Sequence, residues 1–208
     1  KDHAIALDTG TLEYTYAPVQ LKQASIVIMN TNKQRGLTDS KYNERRAECE
    51  HALSQLQTVV KIKNLCDLKE TEFEKVQHII TSPVERKRAR HAVLENIRVK
   101  KAIAALEKSD IEEFGALMNA SHISLRDDYE VTGIELDTLV ESAWNQSGTI
   151  GARMTGAGFG GCAIAIVRND DIEDFTSAVR KEDTQAIGYE PDFYIASIGD
   201  GAGKLAEL

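Results

Sequence analysis

Gly151-Ala152-Arg153-Met154-Thr155-Gly156-Ala157-Gly158-Phe159-Gly160-Gly161 runs straight into the apolar stretch Cys162–Val167 (CAIAIV), and on this junction the reading of the chain turns. Glycine adopts backbone angles that cost other residues energy, and its missing side chain lets main-chain N–H groups come close to a bound oxyanion. No Gly-Lys-Ser/Thr follows, so the stretch is not a P-loop. The glycines of a dinucleotide-binding fingerprint follow a strand and open a helix, whereas these precede a strand. On pattern alone two readings stay open: a backbone surface built for contact, and a tight connection between a helix and a buried strand.

Working outward, Cys162–Val167 reads as a strand, Asp171–Lys181 as a helix with Ile172, Phe175 and Val179 inward, and Phe193–Ile198 as a second strand. This β-α-β unit needs a sheet to lie on, and the early strands are expected to supply it. Ala4–Leu7 and Glu13–Ala17 flank the turn Asp8-Thr9-Gly10-Thr11 as a hairpin, and Ala24–Met29 reads as a buried strand. Helices dominate the middle. Ser82-Pro83-Val84-Glu85 joins a capping serine, a proline at the first helical position and a glutamate placed for a capping box, so a long helix is predicted to run to about Glu107. Thr71–Glu74 and Asp110–Glu113 repeat that logic for shorter helices, one carrying Phe73, Val76 and Ile80, the other Ile111, Phe114 and Leu117–Met118. A further helix is predicted over about Glu135–Gln146. The tail Gly199–Gly203 is the one stretch expected to be loose.

The 208 residues are 42% hydrophobic and 28% charged, enough to bury a core as one domain or one with a small appendage. A net charge of −8 disfavours a nucleic-acid partner. The basic run Glu85–Arg90 does not reverse this, since acids interrupt it and no aromatics interleave. The three cysteines, Cys49, Cys66 and Cys162, are odd in number and widely spaced, so neither a disulfide framework nor a zinc site is suggested, and a reducing, cytoplasmic compartment is the expectation. The five histidines show no metal-binding spacing. Neither a run of about eighteen apolar residues nor a signal peptide is present, so no membrane partner is expected.

The string Arg153–Cys162 resembles the third sequence motif of the GHMP small-molecule kinases, in the form found in the galactokinases. Three more segments carry the resemblance. Asn30–Lys33 with Asp39–Glu50 is similar to the strand and helix that bring a tyrosine to the sugar, while Arg88–Asn96 and His122–Val131, continuing to Glu135-Leu136-Asp137, are similar to helices and the turn between them. The resemblance implies an α+β fold, a ferredoxin-like βαβ sandwich elaborated with several helices, as in the C-terminal domain of these kinases. It also implies the family reaction, transfer of the γ-phosphoryl of ATP to the anomeric hydroxyl of galactose, with magnesium.

The family's sugar-binding motif, ATP-phosphate loop, magnesium-holding acid and aspartate base all precede the region that Lys1 resembles. The chain is therefore expected to be a C-terminal fragment over residues 1–208, inactive alone and binding neither ATP nor magnesium tightly, with the strands of residues 1–24 belonging to a missing N-terminal domain. Self-association through exposed surface is a corollary. A kinase for N-acetylgalactosamine and a non-catalytic galactose sensor are the alternatives.

Tyr42 is the residue the resemblance assigns to the sugar, for affinity and orientation, just after a potential cap at Asp39–Ser40. Thr155, Gly156, Ala157, Gly158, Phe159, Gly160 and Gly161 are assigned to the phosphate side of the cleft, as a wall that aligns the reactants. Gly158→Val is expected to cripple the complete enzyme. No catalytic residue and no metal ligand is assigned within this chain. Arg45 and Arg46 with Glu44, Glu48 and Glu50 read as a solvated network of i,i+3 and i,i+4 pairs, and Glu85–Arg90 reads likewise. Asp127 and Asp128 read as a helix-capping turn ahead of Tyr129.

Overall fold

The computed structural model describes residues 1–33 and 38–199, without the side chains of residues 38–40. Six strands and six α-helices follow one another among the described residues: β1 (His3–Leu7), β2 (Tyr14–Pro18), β3 (Ala24–Asn30), α1 (Thr38–Leu56), α2 (Glu70–Val76), α3 (Pro83–Glu107), α4 (Ile111–Ser124), α5 (Ile134–Trp144), β4 (Thr149–Met154), β5 (Cys162–Arg168), α6 (Ile172–Ile187) and β6 (Asp192–Ala196). The larger sheet has the order β4-β5-β3-β6, with every neighbouring pair antiparallel. Taken in chain order, β3-helices-β4-β5-α6-β6 is the split βαβ arrangement of a ferredoxin-like sandwich, with five helices between its first two strands. The expected α+β class is what the chain adopts.

The early strands divide, so that the sheet takes one of those the sequence offered it. Only β3 enters this sheet, between β5 and β6, whereas β1 and β2 form a separate two-stranded sheet. The reason lies in their side chains. β3 alternates apolar residues that can be covered on both faces, with Val27 and Met29 fully buried, while the hairpin turns only its small residues inward. Ala4 pairs with Ala17, which is 1% exposed, and β2 lies against α3. Around the turn the Asp8 carboxylate accepts from the N–H groups of Gly10 and Thr11, as an Asx turn does.

Helix starts follow the expected chemistry with shifts. Ser82 Oγ accepts from Glu85 N–H at 3.3 Å with Pro83 in the first turn, yet the Glu85 carboxylate turns to His51 and Gln55 instead of closing the capping box. Asp110 caps α4 through Glu113 N–H. α2 starts at Glu70, one residue before the expected Thr71, because Glu72 accepts from the N–H of Lys69 at 2.9 Å. Asp127 and Asp128 do not cap a helix; they lie inside a π-type turn, Leu125–Tyr129, that prolongs α4. Beyond Gly199 the glycine-rich tail lies outside the described residues.

One core joins α5 and α6 to the sheet through Leu136, Leu139, Val140, Phe175 and Val179. A second lies among α1, α2 and α3 around Leu56, Phe73 and Val93. α4 crosses β4 at backbone contact, since a Cβ on Gly151 would stand 2.4 Å from the Gly115 carbonyl oxygen. That glycine therefore serves packing. The stretch from Thr149 to Met154 is strand, so the glycine-rich loop is only Thr155–Gly161, and it joins two antiparallel strands where the sequence reading had a helix and a strand.

Candidate functional site

The loop Thr155–Gly161 leaves the end of β4, which is itself held in place: Met154 N–H donates to Nδ1 of the fully buried His122, whose Nε2 lies 3.3 Å from Asp137 Oδ1. Across the loop base, Thr155 N–H donates to the Cys162 carbonyl at 2.8 Å. Thr31, just past β3, anchors the far end by donating both its N–H and its hydroxyl to the Gly161 carbonyl, at 2.9 and 2.8 Å. Thr155, Gly156 and Ala157 are exposed at the tip, whereas Gly158, Gly160 and Gly161 are buried.

Gly158 decides the loop's course. Its φ is +85°, and an added Cβ would meet the Val131 carbonyl oxygen at 2.1 Å, the same oxygen that accepts from Phe159 N–H at 2.6 Å. A side chain here would be driven into backbone, so Gly158→Val acts through strain against Val131, where the sequence reading also allowed occlusion of the cleft. Gly156 differs, since its φ of +83° demands the same left-handed backbone but a Cβ there meets nothing within 4 Å. Lys33 lies across Gly160, and its Nζ pairs with Glu135 Oε2 at 2.8 Å.

Tyr42 sits in the opening turns of α1 with its side chain 59% exposed, so it is free of the half-buried packing role that such a tyrosine usually has. The neighbouring Lys41 Nζ stands 5.8 Å from the centre of the Phe159 ring, which brings the start of α1 beside the loop. α1 is already helical at Thr38, so Asp39 and Ser40 lie within its first turn and do not precede it, and their side chains fall outside the described residues. Tyr42 thus follows, on α1, the residue that stands over Phe159.

Two arginines that read as surface residues are buried beside this site. Arg45 is 7% exposed and Arg88 only 2%, and both bind Glu48 and backbone carbonyls of residues 128–130. Of the solvated network expected of this face, Arg46 and Glu50 form an exposed pair at 2.8 Å, and the exposed Glu44 reaches the buried Arg45 at 3.6 Å. Local spacing could not reveal the difference, because the carbonyl partners come from another helix end. Hydrogen bonds from Arg88 hold the Glu130 carboxyl below the usual carboxylate range. Burial pushes the Cys49 thiol up to about 11 and the Tyr129 phenol up to about 12, so both stay neutral.

The chemistry of the rim is that of a positioning surface: backbone dipoles, a phenol and a neutralised lysine. Among the described residues no three potential donors converge on a metal position, and no helix is long and apolar enough to cross a membrane.

Residues 102–184 match the family GHMP kinases C terminal. A crystal structure of Lactococcus lactis galactokinase complexed with galactose superposes with a TM-score of 0.94 at 52% identity, over 98% of this chain and 53% of that one. L. major mevalonate kinase, in complex with R-mevalonate, shares the fold with a TM-score of 0.56 at 19% identity over 93% of this chain and 47% of that one. The class to which residues 102–184 are similar is therefore that of the GHMP kinase C-terminal domains. Within that class the chain is similar to the galactokinases, at 60% identity over 206 residues to that of Fusobacterium nucleatum and 58% over 205 to that of Clostridium acetobutylicum, each match covering 99% of this chain and 53% of the relative. It spans about half the length of the curated relatives it matches.

Proposed function

We propose that this chain forms the C-terminal half of an ATP-dependent galactose kinase of the cytoplasm, which moves the γ-phosphoryl group of ATP to the anomeric hydroxyl of galactose. The observation that carries the reading is the near-complete superposition on a galactokinase crystallised with galactose, at 52% identity. In this reading Tyr42 donates or accepts at a sugar hydroxyl, and Thr155–Gly161 forms the wall that aligns sugar and phosphate. Phosphoryl transfer depends mostly on alignment and on stabilising charge, so such a wall contributes without moving a proton.

Magnesium and the ATP phosphates are assigned to the other half of the kinase, where the resemblance puts the phosphate loop and the magnesium-holding acid. The β1-β2 hairpin (His3–Pro18) belongs with that half too, which would cover its exposed aromatic side, while Ala24, the last of the residues assigned there, opens β3 of the main sheet. Left bare, the same side would drive self-association. The test is calorimetry of this chain with galactose and then with magnesium-ATP, beside the complete kinase. Millimolar or absent binding by the chain, with clear binding and turnover by the complete kinase, is the expected result; tight galactose binding by the chain alone would overturn the half-site reading. Tyr42→Phe in the complete kinase should weaken galactose by about 1–3 kcal/mol, seen as a raised KM with kcat retained.

A further inference from the structure

The turn Leu125–Tyr129 at the end of α4 is π-type, a rare geometry that recurs at functional sites. Three consecutive carbonyls at its end, those of Asp128, Tyr129 and the capping Glu130, are taken by two buried guanidinium groups. Arg88 of α3 donates to the Asp128 carbonyl at 2.6 Å; Arg45 of α1 donates to Tyr129 at 2.7 Å and to Glu130 at 3.3 Å. Glu48 binds both arginines through one oxygen, at 3.0 and 2.8 Å, and the Glu130 carboxylate completes the charge balance on Arg88 at 2.8 Å. With Glu44 3.6 Å from Arg45 and Lys87 3.9 Å from Glu130, three cations meet three anions, so the cluster has no net charge left for a ligand.

Stability alone is a poor account of such a cluster, because buried ion pairs are often matched or bettered by apolar side chains of similar volume. Direction is what guanidinium forks supply, and here they aim at backbone. The residue directly after the clamped carbonyls is Val131, whose own carbonyl holds Phe159 N–H and is the wall against which Gly158 lies. On the other side, Arg45 is three residues from Tyr42 on α1, so the two lie on one helix face.

We infer that Arg45 and Arg88 are positioning residues of the cleft: through the clamped turn and Val131 they set the glycine loop, and through α1 they set Tyr42 in register with it. This rests on the kinase reading above for its consequence in catalysis, but not for its structural content. Lysine at either position keeps the charge and loses the fork.

Hydrogen exchange at the Phe159 amide of the 208-residue chain reads the clamp directly. In Arg45→Lys and Arg88→Lys that amide should exchange about tenfold faster, the weight of one hydrogen bond, while the Phe73 amide in α2 keeps its rate. In the complete kinase the same variants should lower kcat and raise the galactose KM together, whereas Arg46→Gln leaves both alone. Ile80→Val, a loss in the second core, serves as the comparator for plain destabilisation and should move Phe73 at least as much as Phe159. An unchanged Phe159 rate in a folded lysine variant, or a rise shared equally with Phe73, would overturn the inference. If Arg88→Lys does not fold, Arg45→Lys carries the test, since Arg88 then still binds Asp128 and both glutamates. A complete chain that fails to phosphorylate galactose would sink the kinase reading and leave the exchange result to decide the clamp.

Discussion

The four-stranded sheet and the N-terminal hairpin are both antiparallel and both alternate large with small side chains, yet they face opposite ways. In the sheet, Met29 stands opposite Ala163 and Val27 opposite Ala165, all four fully buried beneath α5 and α6. In the hairpin, Ile5 pairs with Tyr16 and Leu7 with Tyr14, and these four side chains are 54–64% exposed. Tyr14 and Tyr16 meet edge to face at 5.5 Å, forming an ordered aromatic surface on the side away from α3. Alternation thus dictates strand and register, while the side that becomes interior depends on what packs against it. A covered sheet can aim a loop; a bare hairpin can only wait for a partner.

The comparison breaks most sharply at the loop that the covered sheet carries. Gly158→Ala should cost on the order of 3–5 kcal/mol, from left-handed strain together with overpacking against Val131, and should abolish turnover in the complete kinase; denaturant unfolding and initial rates check both. Gly156→Ala asks only for the strained backbone, about 1–2 kcal/mol, and a loss as large as that at Gly158 would show that the contact with Val131 is not the cause.

Next comes a charge behind the sheet. Asp183 on α6 is 2% exposed, and its Oδ1 finds no hydrogen-bond partner among the described residues. Burial, helped by the charge of Glu135, pushes its carboxyl up to about 6. The folded state therefore holds this proton more tightly than the unfolded chain, so the associated stability is complete below the ordinary carboxylate range and is lost as pH rises through about 6. Asp183→Asn should gain about 1–3 kcal/mol at pH 7 and almost nothing at pH 4, measured as urea midpoints across that range. His91 works in the opposite sense, held down to about 4 by burial, and is common to both proteins.

The smallest effect belongs to the hairpin. Replacing Tyr14 and Tyr16 together by Thr should shift stability by no more than about 0.5 kcal/mol, because nothing in the fold covers them. It should nonetheless reduce self-association in sedimentation. A large loss of stability would mean that the bare side is already packed.

Local rules made much of this legible. The β-branched run Ala24–Met29, the capped start at Ser82 and the amphipathic start of α6 each depend on neighbours within a few residues, and each stands where the sequence puts it, although α6 runs six residues past its expected end at Lys181. β4 was hidden because its Gly151 and Arg153 look like loop, and only the approach of α4 explains them. The burial of Arg45 was hidden for a similar reason: its carbonyl partners are 84 and 85 residues away, beyond any i,i+4 argument. At the candidate site, the glycine pattern announced the loop and its freedom of backbone. The sequence could not say that Val131, Lys33 and Thr31 would be the surfaces against which the loop is cast.

The double hydrogen bond from Thr31 to Gly161 joins residues 130 positions apart. Closing so long a span costs little more entropy than a short one, since that cost grows only with the logarithm of length, but it places the contact late in time. The helices between β3 and β4 can form from neighbours in sequence; the central strand must wait until β5 exists. Assembly of the rim is then the last act of folding, and Trp144, the sole tryptophan, reports it through its indole hydrogen bond to the Ala152 carbonyl of β4. Recovery of its fluorescence should trail the recovery of helical circular dichroism during refolding, and simultaneous recovery would show that sheet and helices form as one.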